Sequence, residues 1–171
     1  YFEQPVAITT RVKPPQRATP NTDGDFIFTS MAPGRAIKTQ YINRNASPNG
    51  VSYELRQLTR DTSQADGYLY KPNRFRKPSD VTIAGDATNY IFVADRARDS
   101  VYQFTANGLE GVNAPPGANT NRNIKVSFGG TGSGPRQFRE PTGVAYFQKR
   151  LYVADGANGV IKRFRLTTDF D

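Results

Sequence analysis

The strongest constraint on this chain is that it repeats itself. Near the C-terminus, Arg136-Gln137-Phe138-Arg139-Glu140-Pro141 leads into Thr142-Gly143-Val144-Ala145, then Leu151-Tyr152-Val153-Ala154-Asp155, then Val160-Ile161-Lys162-Arg163-Phe164. Upstream, Asn73-Arg74-Phe75-Arg76-Lys77-Pro78 leads into Ser79-Asp80-Val81-Thr82-Ile83, then Ile91-Phe92-Val93-Ala94-Asp95, then Val101-Tyr102-Gln103-Phe104. A fainter copy opens the chain: Phe2-Glu3-Gln4-Pro5, Val6-Ala7-Ile8, Phe26-Ile27-Phe28-Thr29 and Ala36 to Tyr41, with Met31 read in the place of the Asp. The markers Phe2 and Pro5, Phe75 and Pro78, and Phe138 and Pro141 stand 73 and 63 residues apart. A repeat of that order builds one supersecondary unit per copy, stacked on its neighbours.

Each unit is made of segments of four to eight residues rich in Val, Ile, Tyr and Phe and bounded by turn residues, which is the grammar of strands. No stretch keeps apolar residues at helical spacing for long enough to make a helix. The chain is therefore expected to be all-β, a single domain of about three units at 1–58, 73–129 and 136–171. Expected strands are 5–10, 25–31, 35–42 and 51–58; 80–84, 89–95, 100–105 and 123–129; and 142–147, 150–155 and 159–166. The extra length is expected in polar insertions at 11–24, 43–50, 60–72 and 107–121, rich in Pro, Gly, Asn and Thr.

Two missing residue types exclude much chemistry. With no cysteine there is no disulfide, thiol nucleophile or thiolate metal site. With no histidine, the commonest general base and metal ligand is gone, and a Ser-His-Asp triad cannot be built. The spacing of Asp23, Asp25, Asp61, Asp66 and Asp80 matches no calcium loop, so neither metal nor cofactor is expected. Charge gives the positive lead: 23 basic against 15 acidic residues, net +8. Such a surplus attracts acidic protein, nucleic acid or anionic lipid. Apolar runs stop at four residues, so no membrane span is expected, and no signal peptide is read in the first twenty residues.

The run Phe128-Gly129-Gly130-Thr131-Gly132-Ser133-Gly134-Pro135, continuing through Phe138, Pro141, Gly143-Val144-Ala145, Leu151 to Asp155 and Ile161, resembles the NHL repeat. The second unit is similar through Phe75, Pro78, Val81, Ile83 and Ile91 to Asp95, and about two-thirds of the chain is covered. The resemblance implies one four-stranded blade of a β-propeller per unit. Closed propellers have 4–8 blades, so three units imply an incomplete segment of a larger ring, for example of six blades. The rest would come from the same parent chain or from a partner chain. Where that family often carries a basic residue after Val-Ala-Asp, this chain has Ser100 and Gly159-Val160.

Three functions follow as expectations: a non-enzymatic scaffold or accessory subunit that binds an acidic protein surface, an RNA-binding propeller, and a fragment of a propeller lyase or lactonase. Lyases of that kind need histidine-bearing metal sites, which these residues cannot make, so the scaffold is preferred. The resemblance also implies an exported bacterial location, periplasmic or extracellular.

Successive strands of a blade reverse direction. The turn between second and third strands and the link between blades should therefore open on one rim. That gathers Arg35, Arg96 and Arg98 from turns with Arg74, Arg76, Lys77, Arg136 and Arg139 from links, with Tyr68, Tyr70 and Phe75 interleaved. Arginine suits bidentate contact with carboxylate or phosphate, and an exposed aromatic would stack on a base. The alternative reading makes Phe75 and Phe138 core residues, with the arginine stems lying over them and their charged ends in water. Asp95 and Asp155, repeated at one place, are read as structural carboxylates that accept backbone N–H groups. The glycine run lacks the Lys and helix of a phosphate loop and is read as a tight connection. Lys162, Arg163 and Arg165 are read as a solvated or charge-protected edge.

Overall fold

The computed structural model describes residues 4–12, 24–30, 35–47, 50–54, 69, 73–86, 88–105, 108–111 and 127–166. Within them the chain is all-β, with one 3-10 turn at Arg96–Arg98. The strands are β1 (Pro5–Val12), β2 (Gly24–Ser30), β3 (Ala36–Ser47) and β4 (Gly50–Glu54); β5 (Pro78–Ile83), β6 (Ile91–Asp95), β7 (Ser100–Phe104) and β8 (Ser127–Gly129); and β9 (Pro141–Phe147), β10 (Arg150–Asp155) and β11 (Val160–Arg165). They form three antiparallel sheets in sequence order, β1-β2-β3-β4, β5-β6-β7-β8 and β9-β10-β11. The sheets succeed one another through their first strands, β1 lying near β5 and β5 near β9.

The expected strands fall where the structure has them, with two differences. Residues 43–50, read as a polar insertion, are largely strand: β3 runs on to Ser47 and turns back into β4 at Gly50. The Asp position of the first unit is held by Ser30 rather than Met31, since Pro5 pairs with Ser30 as Pro78 pairs with Asp95 and Pro141 with Asp155. Phe2, Met31, residues 55–58 and 123–126, and most of the insertions 11–24, 60–72 and 107–121 lie outside the described residues.

All three first strands share an irregularity that the sequence hides. The register skips one residue just after the opening proline, at Val6, Ser79 and Thr142. Proline has no N–H for the ladder, and a bulge beside it re-aims the next side chain. These three residues, with Lys77 and Arg96, line a hollow of about 300 Å³.

Packing between sheets explains the apolar pattern. A lone small sheet is marginal in water, so each must bury its faces on neighbours. Val81, Ile83, Ile91, Val93 and Phe104 of the second sheet pack with Phe75, Leu69 and Ile37 of β3. The opposite face, through Phe92, Ala94 and Val101, packs on Phe138, Val144, Leu151 and Val153 of the third unit. Alternation along β6 thus serves two cores, which is why its four apolar residues, Ile91 to Ala94, are all buried. Phe75 and Phe138 are both fully buried, each at the link into its unit. Gly129 (φ +147°) lets β8 close on β7: a Cβ there would stand 2.5 Å from the Ser100 hydroxyl.

Polar bonds tie the second and third sheets where the apolar contact ends. The Asp80 carboxylate accepts the N–H of Val144 (2.8 Å), and the Ser79 hydroxyl donates to the Pro141 carbonyl (2.7 Å). Burial lifts Asp80 above its ordinary carboxyl range, outweighing the N–H bonds from Val144 and Val81. Tyr146 lies parallel over Phe92, with ring centres 6.4 Å apart, and its hydroxyl donates to Asp86. Burial and then the Asp86 bond push the Tyr146 phenol up. Burial works the other way on Asp86, but the bonds from Thr88 and Tyr146 outweigh it and hold its carboxyl below the ordinary range. Tyr146→Phe is expected to cost about 1–2 kcal/mol, the range for a hydrogen bond to a charged acceptor at a partly wet site. The urea midpoint would report it.

Candidate functional site

The rim is built from the backbone outward. Phe75 N–H donates to the Arg35 carbonyl (3.2 Å), so the link into the second sheet lies against the β2–β3 turn. Arg96 N–H donates to the Lys77 carbonyl (2.9 Å), which brings the next turn against that link. Gly130 N–H reaches the Asp99 carbonyl (2.9 Å) and Glu140 N–H the Asp99 carboxylate (2.8 Å), and Ala157 N–H closes on the Arg139 carbonyl (2.9 Å). Turn and link alternate along one end of the three sheets, so Arg35, Arg76, Lys77, Arg96, Arg98 and Arg139 come from one continuous row, and Arg136 precedes Arg139 in the last link.

Asp95 and Asp155 fasten this row. Asp95 accepts the N–H groups of Arg76 (2.7 Å), Lys77 (2.8 Å) and Ala97 (3.2 Å). Asp155 accepts the Arg139 N–H (2.7 Å), the Asn158 amide (2.8 Å) and the Lys162 ammonium (2.9 Å). Both carboxylates are fully buried, and buried charge must be paired or hydrogen-bonded in this way. Burial alone would lift Asp155; the bonds from Asn158, Arg139 N–H and Lys162 together hold its carboxyl below the ordinary range. Each Asp has a basic neighbour: the Arg98 guanidinium lies 3.8 Å from Asp95, and Lys162 of β11 lies 2.9 Å from Asp155. A hydrogen bond with Tyr102, more than the Asp95 charge, raises the Arg98 guanidinium above its ordinary value.

Two expectations need correction, those for Arg74 and Lys162, and of the two readings of Phe75 the core one holds. Arg74 is not at the rim: its guanidinium is mostly buried, lies 4.7 Å from the centre of the Tyr102 ring and pairs with Glu110 at 2.7 Å. Phe75 is fully buried and packs edge-on to Phe104, so it offers no ring for a base; Tyr68 and Tyr70 lie outside the described residues. Lys162 is not part of a solvated face. Besides Asp155 its ammonium donates to the carbonyls of Gly134 (2.9 Å) and Gln137 and sits 5.4 Å from the centre of the Phe138 ring.

What remains exposed is distinct. Arg35, Arg76, Lys77, Arg136 and Arg139 are exposed, and among the described residues no carboxylate pairs with their side chains. Arg96 is half-exposed and bound to Glu140. The sequence reading missed Asp99, which takes the Thr131 hydroxyl and the Glu140 N–H and so joins turn to link. Its only local signal is an Asp one residue before a strand, at a left-handed turn position (φ +49°) that Asp tolerates.

Among the described residues, no three acidic side chains gather closely enough to hold a metal ion, and no helix is long and apolar enough to cross a membrane. Compared with known protein families and with curated proteins, the chain matches no family model and no curated relative.

Proposed function

We propose that the chain is an arc of an NHL-type β-propeller and works as a non-enzymatic scaffold whose basic rim docks an acidic protein surface. The propeller reading is supported by three sequential antiparallel sheets that follow one another through their first strands, each opened by the same proline and bulge. A ring of this kind is completed by further sheets, from the parent chain or from a partner.

The observation that carries the docking reading is the set of exposed cations Arg35, Arg76, Lys77, Arg136 and Arg139, with which no carboxylate among the described residues pairs; the backbone of Arg76, Lys77 and Arg139 is fixed by buried Asp95 and Asp155. A rigid frame pays little ordering entropy on binding. Guanidinium groups are less strongly hydrated than ammonium groups and take carboxylates in a bidentate fork. With Phe75 buried, the described rim offers charge without an exposed stacking ring, which favours carboxylate over nucleobase.

The test is a charge-reversal variant carrying Arg76→Glu, Lys77→Glu, Arg136→Glu and Arg139→Glu; Arg74 is left alone because it is buried. Fluorescence anisotropy with labelled polyglutamate, and with single-stranded RNA of matched charge, reads binding across a salt series. Polyglutamate is expected to bind the unaltered protein and to weaken by at least about tenfold in the variant, consistent with rim charges acting chiefly through attraction. Since all four side chains are exposed, the urea midpoint should hold. Tighter binding of RNA than of polyglutamate would replace the protein partner with a nucleic acid. Equal binding by both proteins would remove the rim altogether.

A further inference from the structure

The register skips after the three opening prolines bring one side chain from each sheet, Val6, Ser79 and Thr142, to a single hollow of about 300 Å³ that Lys77 and Arg96 complete. We propose that this hollow binds a small organic dianion, a compact molecule with a carboxylate or phosphate head and a short carbon skeleton.

Each wall supplies a different part of that chemistry. Lys77 and Arg96 stand side by side because Arg96 N–H donates to the Lys77 carbonyl (2.9 Å), while Lys77 N–H is held by the buried Asp95 carboxylate (2.8 Å). Both cations therefore rise from a fixed backbone, which lowers the ordering cost of binding. The Lys77 side chain is exposed, and no carboxylate among the described residues pairs with it. Arg96 gives Nε and Nη2 to a single oxygen of Glu140 and stays 41% exposed, so its Nη1 is left for another anion. The nearby Asp95 does not compete for the cations, since it is fully buried and already accepts three backbone N–H groups. Arg76, Arg98 and Arg139 stand on the same links and turns and add to the positive field.

The remaining walls select an organic ligand over a bare ion. Val6 offers an apolar surface to a carbon skeleton. The Ser79 hydroxyl is committed to the Pro141 carbonyl (2.7 Å) and ties β5 to β9 there. Thr142 is exposed, and among the described residues its hydroxyl has no partner, so it can donate to an oxyanion. A volume near 300 Å³ stands at the lower end for small-molecule sites and is more than an inorganic ion fills. Proline accounts for the bulges but not for two cations meeting the re-aimed residues in one place; bulges that re-aim side chains recur beside functional sites. All five lining residues belong to the three sheets, their links and turns, so the hollow needs no further sheet to complete it.

This inference goes beyond the docking of a protein, and it shares only Lys77 with the exposed cations that carry that reading. Isothermal titration of the full chain at low salt takes succinate and glycerol phosphate as probes, with uncharged succinamide as the control. Amide chemical shifts of Ser79, Arg96 and Thr142 locate the site. Both dianions should bind and move those amides, the tighter one identifying the preferred head group, and succinamide should not bind. Lys77→Met should weaken the dianions by at least about tenfold, the scale of a lost hydrogen bond to a charged group, and Thr142→Val by about threefold. Val6→Phe fills the hollow without changing charge and should abolish binding. Val6, Lys77 and Thr142 are all exposed, so the urea midpoint should hold in each variant. Arg136→Gln with Arg139→Gln should weaken polyglutamate but leave the dianions bound, so failure of the rim and failure of the hollow are separate results. Dianion binding that ignores both Lys77→Met and Val6→Phe, equal binding of succinamide, or no binding at low salt would overturn the hollow as a site.

Discussion

Phe138→Ala should destabilise the chain by about 3–5 kcal/mol, the usual range for deleting a fully buried aromatic ring. The ring is fully buried between the second and third sheets and meets Phe164 edge-on at 5.8 Å, which adds to its area burial. It also forms the floor under the Lys162 ammonium. Removing it opens a cavity at the junction of a link, a sheet and a buried ion pair, where relaxation is limited because Phe138 N–H and C=O are fixed by Gly130 and Gly132. A marginally stable domain holds about 5–15 kcal/mol in total, so urea titration should show a large fall in midpoint. Phe138→Leu, which refills much of the space, should lose well under half as much. An alanine effect below about 1 kcal/mol would mean that the second and third sheets do not pack through this residue.

That prediction rests on a marker visible in the bare sequence. Strand positions, sheet count and the burial of Phe75 and Phe138 were readable because strand periodicity, turn residues and repetition agree with one another. So was the role of Asp95 and Asp155, since a carboxylate repeated at a strand end suits a recurring turn. The bulges at Val6, Ser79 and Thr142 were not, because three chemically different side chains occupy one geometric position and only the backbone register reveals it. Arg74 misled because its partner Glu110 is 36 residues away and its aromatic cover comes from β7; nothing local distinguishes it from Arg76. Lys162 could have been found: it alternates with Ile161 and Arg163 and so shares the face of Phe164, where a lysine needs a buried anion. Of the candidate rim, then, the backbone placement was readable, but which cations are free depends on long-range partners.

The buried anion itself gives the second large effect. Asp155→Asn keeps the shape but removes the charge that faces Lys162, and it presents an amide to donors from Arg139, Asn158 and Lys162. Breaking one side of a buried pair typically costs 3–5 kcal/mol; three carbonyl acceptors still serve the lysine, so about 3 kcal/mol is expected at pH 7. The pH dependence identifies the charge as the cause. Asp155 is held below its ordinary range in the folded chain, so its contribution is complete above the unfolded carboxyl value of about 4 and is lost as pH falls from there through the lowered folded value. Asp86 acts in the same direction. Asp80, lifted by burial, acts in the opposite one: acidification neutralises a carboxylate that the fold disfavours, and this favours the folded state as pH falls through its raised value. The acid profile of the unaltered protein is therefore a sum of opposing carboxylates, but the difference between it and Asp155→Asn isolates Asp155. That difference should be full at pH 7 and narrow steadily below about pH 4. A gap that stays constant down to pH 2 would show that Asp155 matters only as a hydrogen-bonding shape. Lys162→Met in the Asp155→Asn background should then recover part of the loss, because the orphaned ammonium is gone.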